Sequence, residues 1–242
     1  MAGFKKIAHR GASGEYPENT RVAFEKAIEA RADMIELDCQ LTQDGHVVVF
    51  HDERLTRTAG VRSAVKNSTL AQLKKLDVGQ WRTKSFKGER ILTLEEALEI
   101  IVGNVDLCLE IKSFPGSPPG IELKLLFILS HYDYLDRTVL SSFDYRALAR
   151  VRELAPEAAL GIIYGLSTGT DPFVAAGQLG AASIHARKEL ASREFLARAW
   201  DEGLDVYVWT VNETREMEAF AALGVQGLIS DYLEKLLKLG QH

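Results

Sequence analysis

Three carboxylates lie in two short apolar segments, and their spacing suggests chemistry. Glu36 and Asp38 are two residues apart within Met34–Cys39, and Glu110 is two residues before Lys112 in a second segment. Because successive side chains of a strand point to opposite faces, Glu36 and Asp38 share one face, and Glu110 shares its face with Lys112. Three buried carboxylates in one cavity would raise each other's pKa unless a cation neutralised them. The pattern therefore favours one divalent cation on Glu36, Asp38 and Glu110. Oxygen-only ligands favour Mg²⁺ or Ca²⁺ over zinc.

The alternative is that no cation binds. One carboxylate would then pair with Lys112 and another would lie at the solvent edge. Two carboxylate-bearing segments of this kind in succession favour the metal site over that arrangement.

Two histidines and two cationic side chains accompany the carboxylates. His9 and Arg10 end an apolar segment near the N-terminus, and His51 follows the apolar residues 47–50. A pair of histidines at one metal site is typical of a general base and a general acid. Arg10 can bind phosphate oxygens through two parallel hydrogen bonds, and Lys112 can bind them as a point charge.

Short apolar segments alternate with amphipathic helical patterns along the chain. Eight strands are predicted at Lys6–His9, Met34–Cys39, Asp106–Ile111, Thr138–Ser142, Leu160–Tyr164, Ala182–Ala186, Asp205–Val211 and Gly227–Ser230. Helices are predicted at Arg21–Arg31, Leu94–Val102, Ile121–Tyr132, Tyr145–Leu154, Asp171–Leu179, Lys188–Glu202, Thr214–Leu223 and Tyr232–Leu239. This alternation predicts an α/β fold, a (β/α)8 TIM barrel in which active sites lie at the C-terminal ends of the strands. A doubly wound open sheet is the alternative.

One apolar segment does not fit the alternation. Asp44-Gly45 stands between the second strand and residues 47–50, which predicts a β-hairpin that would carry His51 over the barrel mouth. Residues of about 53–91 then form a small inserted subdomain, with one short helix near Leu70–Leu76. The whole chain, 1–242, is expected to be one domain.

Composition limits the possible partners and the compartment. The net charge is −5, which indicates no nucleic acid and no anionic membrane as a bulk partner, and no apolar run reaches the ~18 residues of a membrane span. The N-terminus lacks a secretory pattern, so a cytoplasmic protein is expected. Alternation points Cys39 outward and Cys108 inward, so the two should form no disulfide.

A series of motifs in the chain resembles the glycerophosphodiester phosphodiesterase family. The motifs are His9-Arg10-Gly11, Pro17-Glu18-Asn19-Thr20, Glu36-Leu37-Asp38, Asp44-Gly45 with Phe50-His51-Asp52, Glu110-Ile111-Lys112, Ser141-Ser142-Phe143-Asp144, Trp209-Thr210-Val211-Asn212 and Gly227-Leu228-Ile229-Ser230-Asp231. The resemblance covers essentially the whole chain.

The resemblance implies hydrolysis of glycerophosphodiesters to glycerol 3-phosphate and an alcohol. It implies a catalytic acid/base pair, His9 and His51, and phosphate-contacting Arg10 and Lys112. The implied ligands of one divalent cation are Glu36, Asp38 and Glu110.

Two flanking residues are weaker candidates for substrate binding. Glu18 could touch the metal site or the glycerol hydroxyls, or could simply place negative charge near the start of a helix capped by Asn19 or Thr20. Trp209 could line the glycerol pocket, or could belong to the core, as could Phe114. His185 has no partner in the pattern, so a structural role is expected.

Three other functions are alternatives, and each predicts its own residue pattern. A lysophospholipase D-like or cyclising phospholipase would share the two histidines at a barrel mouth. A metal-dependent amidohydrolase would show His-x-His on its first strand, where this chain has His9-Arg10-Gly11. A catalytically silent phosphate sensor would be expected to have lost one of these histidines or carboxylates.

Overall fold

Eight parallel strands close into a barrel in the computed structural model, which describes residues 3–239. The barrel strands are β1 Lys5–His9, β2 Met34–Leu41, β4 Asp106–Ile111, β5 Thr138–Ser142, β6 Ala159–Tyr164, β7 Ser183–Arg187, β8 Asp205–Trp209 and β9 Gly227–Ser230; β3, Val47–Val49, lies outside the barrel. The helices are α1 Arg21–Glu29, α2 Thr56–Ala59, α3 Leu70–Leu73, α4 Leu94–Ile101, α5 Ile121–His131, α6 Tyr145–Leu154, α7 Pro172–Leu179, α8 Arg193–Asp201, α9 Thr214–Ala222 and α10 Leu233–Lys238.

Closure comes from β1, which pairs in parallel with both β2 and β9. The TIM barrel is therefore confirmed, and the doubly wound open sheet is wrong. None of the helices within residues 3–239 is long and apolar enough to cross a membrane.

Side-chain alternation along the strands divides the apolar residues into two cores. Ile35, Leu37 and Cys39 of β2 belong to the large core between barrel and helices. Cys108 lies in the barrel lumen with Met34 and three other apolar residues. The opposite directions predicted for the two cysteines are confirmed, and both thiols are free. The same parity turns the acidic residues of β2 and β4 into the lumen.

The predicted hairpin is formed by β2 and β3, which pair antiparallel with Cys39 opposite Val49. Gly45 has a φ of 79°, a conformation that glycine adopts without steric cost. The buried Gln40 side chain, on β2, donates hydrogen bonds from Nε2 to the carbonyls of Phe50 and Asp52, which follow β3, at 2.7 and 2.8 Å. These bonds fix the backbone on both sides of His51 against β2.

Residues 53–91 pack with the hairpin arm around a small second hydrophobic cluster. It consists of Val48, Phe50, Leu55, Val65, Leu73, Val78 and Ile91. The expectation of a single short helix here is wrong, because α2 precedes α3 and 3-10 turns occupy Val65–Asn67 and Lys84–Phe86. The missed helix, α2, has four residues and is too short to show helical periodicity. The predicted one, α3, begins with a capping box formed by Thr69 and Gln72.

The largest boundary error concerns the helix predicted at Lys188–Glu202, which begins only at Arg193. Residues 188–190 form a turn, and the Ser192 side chain accepts a hydrogen bond from the Phe195 backbone N–H at 3.2 Å. Serine in this position satisfies an otherwise unpaired helix N–H, so the helix begins after it.

Candidate active site

The three acidic residues of the sequence pattern meet at the C-terminal end of the barrel. Strands β2 and β4 pair in a register that sets Asp38 beside Glu110 and Glu36 beside Cys108. One carboxylate oxygen from each of Glu36, Asp38 and Glu110 lies within 4.8 Å of the other two. Asp38 is 0% exposed and Glu36 5%. The carboxylate cluster, as we call these three residues, is thus nearly removed from water.

Burial and mutual repulsion give the three carboxyl groups different acidities. Burial, then the charge of Asp38, raises the pKa of Glu36 well above its ordinary value. Burial likewise raises the pKa of Glu110 to about 7, although Lys112 opposes the shift. For Asp38, the charges of Lys112 and Arg10 outweigh burial and lower the pKa. The cluster without a cation is therefore ionised on Asp38 and resists further ionisation.

A divalent cation fits this donor set. The Oδ1 atom of Asp38 is buried and has no hydrogen-bond partner, although Lys112 Nζ lies 3.4 Å away. A buried carboxylate oxygen without a partner is costly, and a bound cation would satisfy it. Glu36 and Glu110 would supply further oxygens, the ligand type preferred by Mg²⁺ and Ca²⁺.

His9, at the end of β1, lies beside the cluster with its two ring nitrogens in different surroundings. Its Nδ1 hydrogen-bonds to Asp231 Oδ1 at 2.6 Å, and its Nε2 lies 3.9 Å from Glu36 Oε2. Asp231 also accepts hydrogen bonds from Ser13 Oγ at 3.0 Å and Asn212 Nδ2 at 2.7 Å. Despite burial, the bonds from these groups lower the pKa of Asp231 to about 2. Asp231 thus binds Nδ1 and leaves Nε2 turned toward the carboxylates.

His51 lies on the hairpin side of the same cleft and has a carboxylate partner of its own. Its Nδ1 hydrogen-bonds to Asp52 Oδ1 at 2.7 Å. Burial lowers the pKa of His51, and the positive charges of Lys112 and Arg10 lower it further against the effect of Asp38. The neutral imidazole is therefore favoured, with Nε2 as the nitrogen not bonded to Asp52.

Arg10 and Lys112 surround the cluster with positive charge. Lys112 Nζ donates to Glu110 Oε1 at 2.7 Å. The backbone N–H of Arg10 donates to Glu36 Oε2 at 2.9 Å, and its Nη1 donates to Glu18 Oε1 at 2.8 Å. Glu18 therefore contacts Arg10 and does not belong to the carboxylate cluster. Thr20, not Asn19, is the N-cap of α1.

The side of the cleft formed by β5–β9 is largely apolar. Trp209 and Phe143 meet edge to face with ring centroids 5.8 Å apart, and Ile163 and Ile229 complete this wall. Trp209 Nε1 donates to the His185 carbonyl at 2.7 Å, which fixes the indole. Phe114 lies elsewhere, in a groove beside α5.

His185 is part of the lumen floor. Its side chain is buried, hydrogen-bonds through Nε2 to Ser183 Oγ at 3.0 Å and stacks on Tyr207. Burial lowers its pKa to about 3, so the imidazole is neutral. These contacts agree with the structural role expected for it.

Several residues of the site carried no clear signal in the sequence. Asp231 and Asn212 stand in motifs after the last two strands, but only the folded barrel brings Asp231 to His9, 222 positions away, and Asn212 to Asp231. Arg57 lies in the irregular insertion and bonds to both Asp52 and Glu18. The sequence shows only that polar residues follow the strands; it does not show which residues they bond to.

A closed β/α barrel with buried carboxylates, two histidines and two cationic side chains at its mouth is suited to metal-assisted hydrolysis of a phosphate ester. The model of the glycerophosphoryl diester phosphodiesterase family matches residues 9–235. The chain belongs to that family and is an enzyme.

Relatives resemble the chain over nearly its full length. It is 40% identical to a glycerophosphodiester phosphodiesterase of Caldanaerobacter subterraneus subsp. tengcongensis, over 96% of each chain. A phosphodiesterase of Oleispira antarctica, solved in complex with the product sn-glycerol-3-phosphate, superposes with a TM-score of 0.88 at 30% identity, covering 95% of this chain and 94% of that one. The glycerophosphodiester phosphodiesterase of Thermotoga maritima gives a TM-score of 0.79 at 26% identity, covering 99% and 100%.

Proposed function

We propose that this enzyme hydrolyses glycerophosphodiesters to glycerol 3-phosphate and an alcohol, with one divalent cation and with His9 and His51 as the acid/base pair. The observation that carries the proposal is the position of both histidines beside three buried carboxylates in one cleft. The names of the relatives and the product bound in the Oleispira antarctica structure support the substrate class.

The carboxylate cluster would hold the cation through Glu36, Asp38 and Glu110. A bound Mg²⁺ or Ca²⁺ would neutralise phosphate charge and lower the pKa of a coordinated hydroxyl or water. Arg10 and Lys112 lie on the rim of the cluster and would bind the phosphate oxygens directed away from it.

The two histidines would move protons at opposite ends of the reaction. Each has its Nδ1 bonded to a carboxylate, Asp231 or Asp52, so each presents Nε2 to the substrate. One Nε2 would take the proton of the attacking group, and the other would donate a proton to the leaving alcohol. The carboxylates keep the rings oriented, as an orienting carboxylate does for a catalytic histidine in other hydrolases.

The apolar wall would receive the carbon skeleton of the substrate. Trp209 is fixed by its bond to the His185 carbonyl, so it offers a rigid surface opposite Arg10 and Lys112. Phosphate would therefore lie on the charged side of the cleft and glycerol carbons on the aromatic side.

A lysophospholipase D-like activity is a second candidate, because apolar side chains continue from this wall to the surface. Phe143 is 45% exposed and Leu166, in the loop after β6, is 65% exposed. Such a rim could contact one acyl chain. Release of choline from lysophosphatidylcholine at a rate near that from glycerophosphocholine would favour this activity.

The test is hydrolysis of glycerophosphocholine, followed as glycerol 3-phosphate release, by EDTA-treated enzyme with and without added Mg²⁺ or Ca²⁺. Turnover should require the metal. His9→Ala and His51→Ala should each lose at least ~10²-fold in kcat. His46→Ala is the matched control, because His46 lies in the exposed hairpin turn and should keep normal activity. Normal turnover in either site variant would contradict the acid/base pair.

A further inference from the structure

One guanidinium group joins the insertion to two parts of the barrel mouth. Arg57, on α2, donates from Nε and Nη2 to the two Asp52 oxygens at 2.7 and 3.0 Å. It also donates from Nη1 and Nη2 to the two Glu18 oxygens at 2.6 and 2.8 Å. The planar fork of arginine matches a carboxylate with two parallel bonds, and here it meets two carboxylates at once.

Each carboxylate bound by Arg57 is bonded in turn to a residue of the proposed active site. Asp52 Oδ1 accepts the Nδ1 bond of His51 at 2.7 Å. Glu18 Oε1 accepts the Nη1 bond of Arg10 at 2.8 Å. Arg57 therefore reaches His51 by one carboxylate and Arg10 by the other, without touching the carboxylate cluster itself.

The surroundings of Arg57 favour orientation over stabilisation of the fold. Its side chain is 42% exposed, so water screens its charge and reduces what its ion pairs contribute to folding. The guanidinium also packs over Trp81 of the insertion, 5.6 Å from the ring centroid. Its partner Glu18 is only 13% exposed, so Arg57 closes the outer side of a nearly buried charge.

We propose that Arg57 is a positioning residue, by which the insertion orients His51 through Asp52 and Arg10 through Glu18. The inference rests on the function proposed above for His51 and Arg10. Loss of the guanidinium removes one of the partners that hold each of Asp52 and Glu18 in place, and small displacements of a catalytic group are costly in rate.

Arg57→Met tests the proposal, because methionine keeps much of the side-chain length and removes the charge and all donors. We expect kcat to fall by about 10- to 100-fold, as for other residues that orient an active-site ligand. KM should rise by roughly threefold, because Glu18 loses its bonds to Arg57 and holds Arg10 less firmly. Arg57→Lys should recover little, because lysine cannot bond two carboxylates in this geometry.

The matched control is Arg137→Met. Arg137 is 47% exposed, bonds through Nε and Nη2 to the Asp106 carboxylate at 2.8 and 2.7 Å and packs over the Tyr134 ring. It thus has a similar exposure, a carboxylate partner and a ring contact, but it directly precedes β5, at the end of the barrel opposite the site. Both variants should remain folded in a thermal melt, and only Arg57→Met should change kcat and KM.

Double variants separate the two routes. In an Asp52→Asn background, adding Arg57→Met should leave kcat within about twofold, because its route to His51 is already lost. In a Glu18→Gln background, adding Arg57→Met should leave KM within about twofold. Full additivity in both cycles would overturn the proposal, as would normal kcat and KM in Arg57→Met.

The side-chain ¹⁵N resonances of His51 give a readout that does not depend on turnover. In the wild type the proton should reside on Nδ1, and in Arg57→Met the Nε2–H tautomer should increase. Arg137→Met should leave the tautomer unchanged. If the wild type fails to hydrolyse glycerophosphodiesters, the proposed function fails, and this spectrum still decides the positioning role. An unchanged His51 tautomer in Arg57→Met would refute it.

Discussion

Glu110→Gln should make the metal-free protein more stable at alkaline pH while it weakens metal binding. In the folded protein the pKa of Glu110 is raised from 4.5 to about 7, mainly by burial. Glutamine has nearly the same shape and no charge, and its amide oxygen can still accept the bond that Lys112 Nζ donates to Glu110 at 2.7 Å. The substitution thus removes an unfavourable ionisation and keeps the packing.

The expected size follows from the same pKa. Because folding favours the protonated carboxyl, Glu110 contributes its full stability below pH 4.5 and loses it as the pH rises through about 7. At 1.36 kcal/mol per pH unit, this loss is about 3 kcal/mol. The free energy of unfolding of Glu110→Gln should therefore equal that of the wild type near pH 4.5 and exceed it by about 3 kcal/mol at pH 8.5.

Urea denaturation in EDTA at several pH values measures the difference. Asp38→Asn supplies a control of opposite sign: the pKa of Asp38 is lowered by Lys112 and Arg10, so its charge stabilises the fold at neutral pH and the variant should be less stable there. A difference between Glu110→Gln and wild type that is the same at pH 4.5 and pH 8.5 would refute the electrostatic reasoning. Saturating Mg²⁺ or Ca²⁺ should abolish the advantage of the variant.

Three further predictions concern His9, the metal and the loop after β1. Asp231→Asn should lower kcat about 10- to 100-fold, since it weakens the bond that orients His9, and should also lower Tm, because the lowered pKa of Asp231 means that its charge stabilises the fold. Mg²⁺ or Ca²⁺ at 100 times Kd should raise Tm by about 5–10 °C in a thermal melt, and by less in Glu110→Gln. Gly11→Ala should lower the free energy of unfolding by at least about 1 kcal/mol in urea, because φ is +79° and a Cβ would lie 2.7 Å from the Ala23 carbonyl carbon.

The fold could be predicted from the sequence because its information is local. A strand such as Asp106–Ile111 is an apolar run between turns, and a helix such as Tyr145–Leu154 carries its own periodicity; both have the predicted boundaries. Alternation within β2 and β4 also decided which side chains enter the lumen. Predicted helix boundaries were wrong where a capping residue starts the helix inside a periodic pattern, as at Ser192. The short helix α2 was missed because four residues contain no detectable period.

The sequence by itself determined that Glu36 and Asp38 share a face, that Glu110 follows the same parity and that His51 ends a hairpin arm. Only the tertiary structure decided which groups meet across strands. Asp231 reaches His9 because β1 and β9 are neighbours in a closed barrel, and Arg57 reaches Glu18 because α2 packs against the loop after β1. Such contacts join residues tens to hundreds of positions apart, and no local pattern encodes them. The bonding partners and pKa values of the site follow from that closure.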